Sequence, residues 1–240
     1  MNAEYLKQIH EWLEEFLWPE PDGKQRAKRE RILESATAQF IRYGYRKTSI
    51  DEIARAAGVA KGTVYLYYQN KAELVMHAIA LEKVSYFSQL EPLLARDIPA
   101  TERLQALILL SFLTIPEMPL LSQLTSGDHE LALALKEVDG TVLERINHFR
   151  TEFVVTLLDE ATGQTWQKAT LLARAQVMLD LIEAVAVSGQ LAQQGGNLGS
   201  YAGNLAATLM HGITATADPR ISRLLWSTPP TDMAAERALA

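Results

Sequence analysis

Lys61, Thr63, Tyr65, Tyr67 and Lys71 lie within one short stretch of the chain. Their chemistry is that of hydrogen-bond donors. Phenolic hydroxyls and ammonium groups reach phosphate oxygens, and a threonine near a helix start reaches a base edge or a thymine methyl. Lys71 stands in the first turn of a further helix, where backbone N–H groups and the helix dipole also favour a phosphate. The pattern therefore points to contact with nucleic acid rather than to bond-making chemistry.

The charge distribution agrees. Residues 24 to 71 hold eleven basic side chains against four acidic ones, a net +7 in a chain whose total is −6. The remainder is strongly acidic, so the sequence reads as a small basic head on an acidic body.

Four elements must position the donors. Ile32, Leu33, Ala36, Phe40 and Ile41 form an apolar stripe on a helix from Arg29 to about Tyr43, stopped at Gly44. Ser49 and Glu52 have the spacing of a capping box and open a second helix that runs to Ala57, before the turn at Gly58. Lys61 to Tyr68 allow only about two turns of a third helix, and Asn70 with Glu73 repeats the cap arrangement to start a fourth that continues to about Leu94. Two short helices around a glycine turn form the helix-turn-helix pattern, whose second helix enters the DNA major groove. Ile50, Ile53, Ala54, Val59 and Val64 supply its small core, and Lys61, Thr63, Tyr65 and Tyr67 are left to point outward.

From Arg29 to Leu74 the sequence resembles the N-terminal DNA-binding domain of the TetR family of bacterial transcription regulators. The resemblance is carried by Ile32-Leu33, Gly44-Tyr45, Thr48 to Ala54, Ala57-Gly58-Val59 and Lys61 to Tyr65, through Lys71 to Leu74. It implies DNA contacts from Thr48, Lys61, Gly62, Thr63, Tyr65, Tyr67 and Lys71. It further implies a homodimer on a palindromic double-stranded DNA operator, released by a small-molecule effector, with repression as the commonest mode. One departure is Ala60, where the family often has a serine cap; its loss weakens the recognition helix by about 1 kcal/mol.

The expected fold is all-α, with about nine or ten helices: an N-terminal three-helix DNA-binding domain with a helix-turn-helix, then a helical ligand-binding and dimerisation domain. Four parts are expected: an acidic amphipathic extension (1–23), the DNA-binding head (24–71), the effector and dimerisation body (72–217) and a tail (218–240) packing through Leu224, Leu225 and Trp226. In the extension, Ile9, Trp12, Leu13, Phe16 and Leu17 share one face, which suits docking on the protein's own body or a second subunit better than a membrane. Lys24 to Arg29 read either as a flexible basic arm along the DNA backbone or as a solvated helix start; the acidic extension would compete with DNA for such an arm.

In the body, the helices over residues 165–192 and 199–214 have Ala, Gly and Leu spacing suited to close antiparallel packing. They are assigned the dimer interface, with Ala184, Ala186, Gly189, Gly203 and Ala206 permitting close approach. Arg150 falls within an apolar stripe and needs an anion: Glu183 or Asp180 on a neighbouring helix, or an acidic or polar effector in a cavity with Ser111, Phe112, Met178 and Ile182.

A chain without cysteine excludes disulfides, thiolate metal sites and thiol catalysis. Glu73/His77 and Glu144/His148 lack the Glu-x-x-His spacing of a di-metal bundle and read as solvated residues. No triad or phosphate loop presents itself, so no enzyme activity, metal or cofactor is expected, and the location expected is cytoplasmic. The alternative is a helix-turn-helix dimer answering a protein partner, without a small-molecule pocket.

Overall fold

A computed structural model describes residues 2–215 other than 20–22, 95, 126, 137, 139, 164, 189 and 190. The expected tail, including Leu224, Leu225 and Trp226, and the small residue Gly189 lie outside the described residues. The described chain is all-α, with eleven α-helices rather than nine or ten. They are α1 (Asn2–Leu17), α2 (Lys24–Lys47), α3 (Ile50–Ala56), α4 (Lys61–Tyr67), α5 (Lys71–Leu94), α6 (Ala100–Thr114), α7 (Pro119–Thr125), α8 (His129–Lys136), α9 (Gly140–Ala161), α10 (Lys168–Val187) and α11 (Leu198–Thr214). No described helix is long and apolar enough to cross a membrane.

α2 begins at Lys24, five residues before the expected start, so Lys24 to Arg29 are helical rather than a free arm. Two of its basic residues are held internally. Arg26 pairs with Glu30 at 3.0 Å and with Glu14 of α1 at 3.7 Å, and the Arg29 guanidinium is buried 4.9 Å from the Tyr68 ring centre. Ile32, Leu33, Ala36 and Phe40 are fully buried, whereas Ile41, expected in the same stripe, is largely exposed. The kink at Gly44 has φ 79° and ψ 165°, a conformation open to glycine and strained for any other residue.

Past that kink the head follows its local signals. Ser49 and Glu52 close the capping box reciprocally, and Val59 N–H donates to the Ala54 carbonyl at 2.9 Å across the turn, where Gly58 adopts φ 65°. Ile53 and Val64 are fully buried between α3 and α4. At the start of α5 the Asn70 side chain accepts from Glu73 N–H at 2.8 Å.

The apolar interior divides into two cores, and α5 belongs to both. Leu74, Val75, Met76, Ala78 and Ile79 complete the core of the head together with Ile9, Leu13 and Leu17 of α1, while Leu90 joins the core formed by α6, α9, α10 and α11. The division expected between residues 71 and 72 thus falls inside a continuous helix. α11 lies chiefly along α6, not along α10. Ala186 and Ala206, expected at a dimer surface, are buried in the chain's own core, because α6 and α9 occupy those faces.

α7 is anchored by a carboxylate from α5: Glu82 accepts the N–H groups of Leu120 and Leu121, each at 3.0 Å. Burial raises the Glu82 pKa, and these two N–H groups hold it down in part.

The reciprocal cap at α3 sets the entry of the helix-turn-helix. Ser49→Ala is expected to lower stability by about 1 kcal/mol, read as a shifted midpoint with unchanged slope in urea unfolding.

Candidate nucleic-acid interface and effector cavity

α4 presents its outer face through Lys61, Gly62, Tyr65 and Leu66, all exposed, with Thr63 and Tyr67 half-buried. A methyl group added at Gly62 would meet nothing within 4 Å, so this position leaves the start of α4 open to close approach by another backbone. The Lys61 ammonium donates to Asp51 of α3 at 2.7 Å, and this hydrogen bond raises its pKa. A phosphate that takes Lys61 must replace Asp51 as its counter-ion.

Thr48 and Lys71 are placed differently from the outward donors of α4. Thr48 is buried, and its hydroxyl donates to the Gln39 and Gly44 carbonyls at 3.1 and 2.9 Å. Lys71 directs its ammonium to the Tyr45 and Thr48 carbonyls at 2.8 and 3.1 Å and lies 4.1 Å from the Tyr45 ring centre. Partial burial lowers its pKa. Of three donors, two are engaged, and one is left for an anion. These two residues brace the loop that joins α2 to α3.

Tyr68 is fully buried at the end of α4, while Leu66 is 82% exposed, the largest apolar projection on the recognition helix. Periodicity alone did not separate them; the turn after α4 rotates Tyr68 inward under Arg29. An exposed leucine there suits contact with a thymine methyl or sugar.

His77 is a correction to the reading as a solvated residue. It is buried against α1, with its ring stacked on Phe16 at 4.2 Å and Tyr68 edge-on at 5.1 Å. Desolvation lowers its pKa, which favours the neutral ring. His148 is exposed, as expected. Among the described residues no group of three metal-ligating side chains comes together.

Two cavities open in the body, one of about 100 Å³ and one of about 330 Å³, which share Lys83, Leu121, Ile146, Arg150 and Glu183 as walls. Of the five expected effector residues, Ser111, Arg150 and Ile182 line the first cavity. Phe112 and Met178 do not; both are fully buried core residues facing the packed side of their helices. Arg150 is hydrogen-bonded to Glu183, the internal partner expected for it. Tyr86 and Ser111 exchange a hydrogen bond at 2.9 Å on the cavity wall, where burial pushes the phenol up to about 12.

The residue that sequence reasoning missed is Lys83. It lines both cavities, and no described residue accepts a hydrogen bond from its ammonium. Burial pushes its pKa down to about 8, with the neighbouring Arg150 guanidinium adding to the effect and Glu183 opposing it. Glu82 opposes it as well, so the cations Lys83 and Arg150 face the carboxylates Glu82 and Glu183 across this part of the wall. The run Leu81-Glu82-Lys83-Val84 looks like an ordinary surface turn in sequence, and nothing in it announces a buried cation.

Two short helices with an exposed donor-rich face, joined by a long helix to an all-helical body with cavities, make a helix-turn-helix head on a helical body. Residues 32–78, about a fifth of the chain, match the family model "Bacterial regulatory proteins, tetR family". The fatty acid metabolism regulator protein of Bacillus subtilis is 27% identical over 128 residues, which are 52% of this chain and 61% of that relative. The match thus spans less than two thirds of the relative's length. Among solved structures, the fatty acid degradation regulator FadR from Bacillus halodurans superposes with a TM-score of 0.62 at 20% identity, over 82% of this chain and all of that one. FadR from Bacillus subtilis, solved in complex with stearoyl-CoA, gives 0.55 at 20% identity over 79% of this chain and 99% of that one. At these identities the structures establish a shared fold.

The charge on Lys83 has a stability consequence with a definite sign. Its pKa is depressed from 10.5 to about 8, so the cost of burying the ammonium is fully present below pH 8 and is relieved as pH rises from there towards 10.5. Lys83→Met is expected to stabilise the ligand-free protein at pH 7 by on the order of 2 kcal/mol, with the advantage shrinking by pH 9.5. Thermal unfolding of both forms at the two pH values measures it.

Proposed function

We propose that the protein is a dimeric, effector-responsive DNA-binding transcription regulator of the TetR type, acting as a repressor. The observation that carries the reading is the outer face of α4: Lys61, Gly62, Thr63, Tyr65 and Tyr67 on a helix braced from behind by buried Tyr68 and Val64. Thr48 and Lys71 support that face by tying the α2–α3 loop, and the remaining Lys71 donor contributes one phosphate contact. The working division is an N-terminal extension (1–23), a head (24–71), a body (72–217) and a tail (218–240).

The dimer forms through α10. Ala173, Val177, Leu181 and Ala184 make an exposed apolar stripe at helical spacing, with Val177 and Leu181 49% and 42% exposed. Exposed apolar residues in a continuous helical row are the usual mark of a protein interface. Two such subunits related by a two-fold axis read a palindrome, one recognition helix in each half-site.

The cavity favours a small-molecule effector over control by a protein partner alone. Its wall is mostly apolar and carries the Lys83 ammonium, which suits an amphipathic anion such as an acyl chain with an acidic head. The stearoyl-CoA held by the structurally similar Bacillus subtilis protein is a ligand of that chemistry. Such a ligand induces only if it binds the DNA-incompetent arrangement of the heads better than the competent one.

Selection of duplexes from a random library at two salt concentrations tests the DNA reading; a palindromic consensus that survives the higher salt is expected. Uniform loss of binding with salt would leave only a basic surface and overturn it. Lys61→Ala is expected to lower the slope of log affinity against log salt by about 1. Leu181→Glu is expected to give a monomer in sedimentation and to lose the palindrome. Palmitoyl-CoA is expected to release wild-type protein from DNA, and Lys83→Met to abolish that release.

A further inference from the structure

We propose that α1 is a wall of the effector cavity whose side chains touch the bound ligand, and that it passes the filling of the cavity to the recognition helix. Only the identity of the ligand rests on the reading above; the route is built from contacts within this chain. Ile9, Trp12 and Leu13 line the cavity, and Ile9 and Leu13 are almost wholly buried. Trp12 is fixed at the rim, 5.7 Å from the Phe149 ring of α9 and with the Arg145 guanidinium 5.0 Å from its centre.

One turn further along the same helix, the contacts change from the body to the head. Trp12 stacks on Phe16 at 5.7 Å, and Phe16 stacks on His77 of α5 at 4.2 Å. His77 in turn meets Tyr68, the residue that ends α4, and Arg29 lies over both Tyr68 and Tyr67. Four aromatic rings thus lead from the cavity rim to the back of the recognition helix, with Leu17 fully buried beside them.

The physics makes this a coupling rather than a list of neighbours. A helix is stiff over one turn, so Trp12 and Phe16 move together. Interiors are close-packed, and a ring displaced at Phe16 cannot be absorbed by empty space beneath His77. A ligand that presses on Trp12 and Leu13 therefore shifts Phe16, and with it the seat of Tyr68. The matched family segment begins at residue 32, so Trp12 and Phe16 lie outside the part of the chain that the family model describes, whereas Tyr68 and His77 lie within it.

The test uses the full-length protein, palmitoyl-CoA as probe, calorimetry for binding and hydrogen exchange for propagation. Phe16→Leu keeps apolar volume but removes the ring: palmitoyl-CoA should bind with the wild-type Kd, while the concentration that releases DNA rises at least tenfold. Trp12→Ala should raise the Kd for palmitoyl-CoA at least tenfold. Release of DNA from Phe16→Leu at the wild-type concentration, or an unchanged Kd for Trp12→Ala, would overturn the proposal. Hydrogen exchange of the ligand-free protein decides independently of the probe. Leu13→Asp, which places a carboxylate in the core and drives α1 off, should accelerate exchange in α1 and in residues 65–78 but not in α11. Acceleration confined to α1 refutes the route, and if Leu13→Asp unfolds the whole chain, Trp12→Ala is judged by the same criterion. Should wild-type protein take up no palmitoyl-CoA, the acyl reading falls and the exchange result alone settles the role of α1.

Discussion

One helix has to serve two cores. α5 leaves the recognition helix, buries Leu74 to Ala80 against α1 and α2, and reaches the body's core with Leu90. Its middle, around Lys83, is where neither core is complete, and both cavities open there. Because a continuous helix cannot bend freely at that point, the head and the body share a rigid member with the cavities beside it.

The electrostatics of that middle stretch follow from the same geometry. Glu82 and Lys83 are neighbours in sequence and act on each other electrostatically, yet their contacts differ: Glu82 accepts from the N-terminus of α7, and Lys83 lines the cavities beside the hydrogen-bonded Arg150–Glu183 pair. Burial of the Lys83 ammonium lowers the stability of the folded chain, and Glu82 and Glu183 offset that cost in part. The head shows the opposite arrangement, in which Lys61 already has Asp51 as an exposed counter-ion that DNA can exchange at little cost.

The acidic N-terminal helix has two roles in the fold. Its apolar face completes the head's core through Ile9, Leu13 and Leu17, and its Glu14 neutralises Arg26 at the start of α2. Removing it would open that core as well as unmask a basic residue, so a change in DNA binding on truncation cannot be read as electrostatics alone.

Much of the head was legible in the sequence because its determinants are local. The Ser49–Glu52 box, Gly58 at positive φ, the Asn70 cap and the apolar spacing of Ile53 and Val64 act within a few residues of themselves, and each appears where it was expected. That Arg150 needs an anion was also legible, since an arginine in an apolar stripe requires one; which of Glu183, Asp180 or a ligand supplies it was not, and the structure gives Glu183. What needed the tertiary structure is every property that depends on what packs opposite. His77 and Lys83 look like surface residues until α1, α9 and α10 close over them, and that Thr48 and Lys71 also tie the α2–α3 loop shows only once the loop carbonyls are in place. Phe112 and Met178 were placed in a cavity by face alone, and which side of a helix meets empty space is decided by neighbours far away in the chain, not by period.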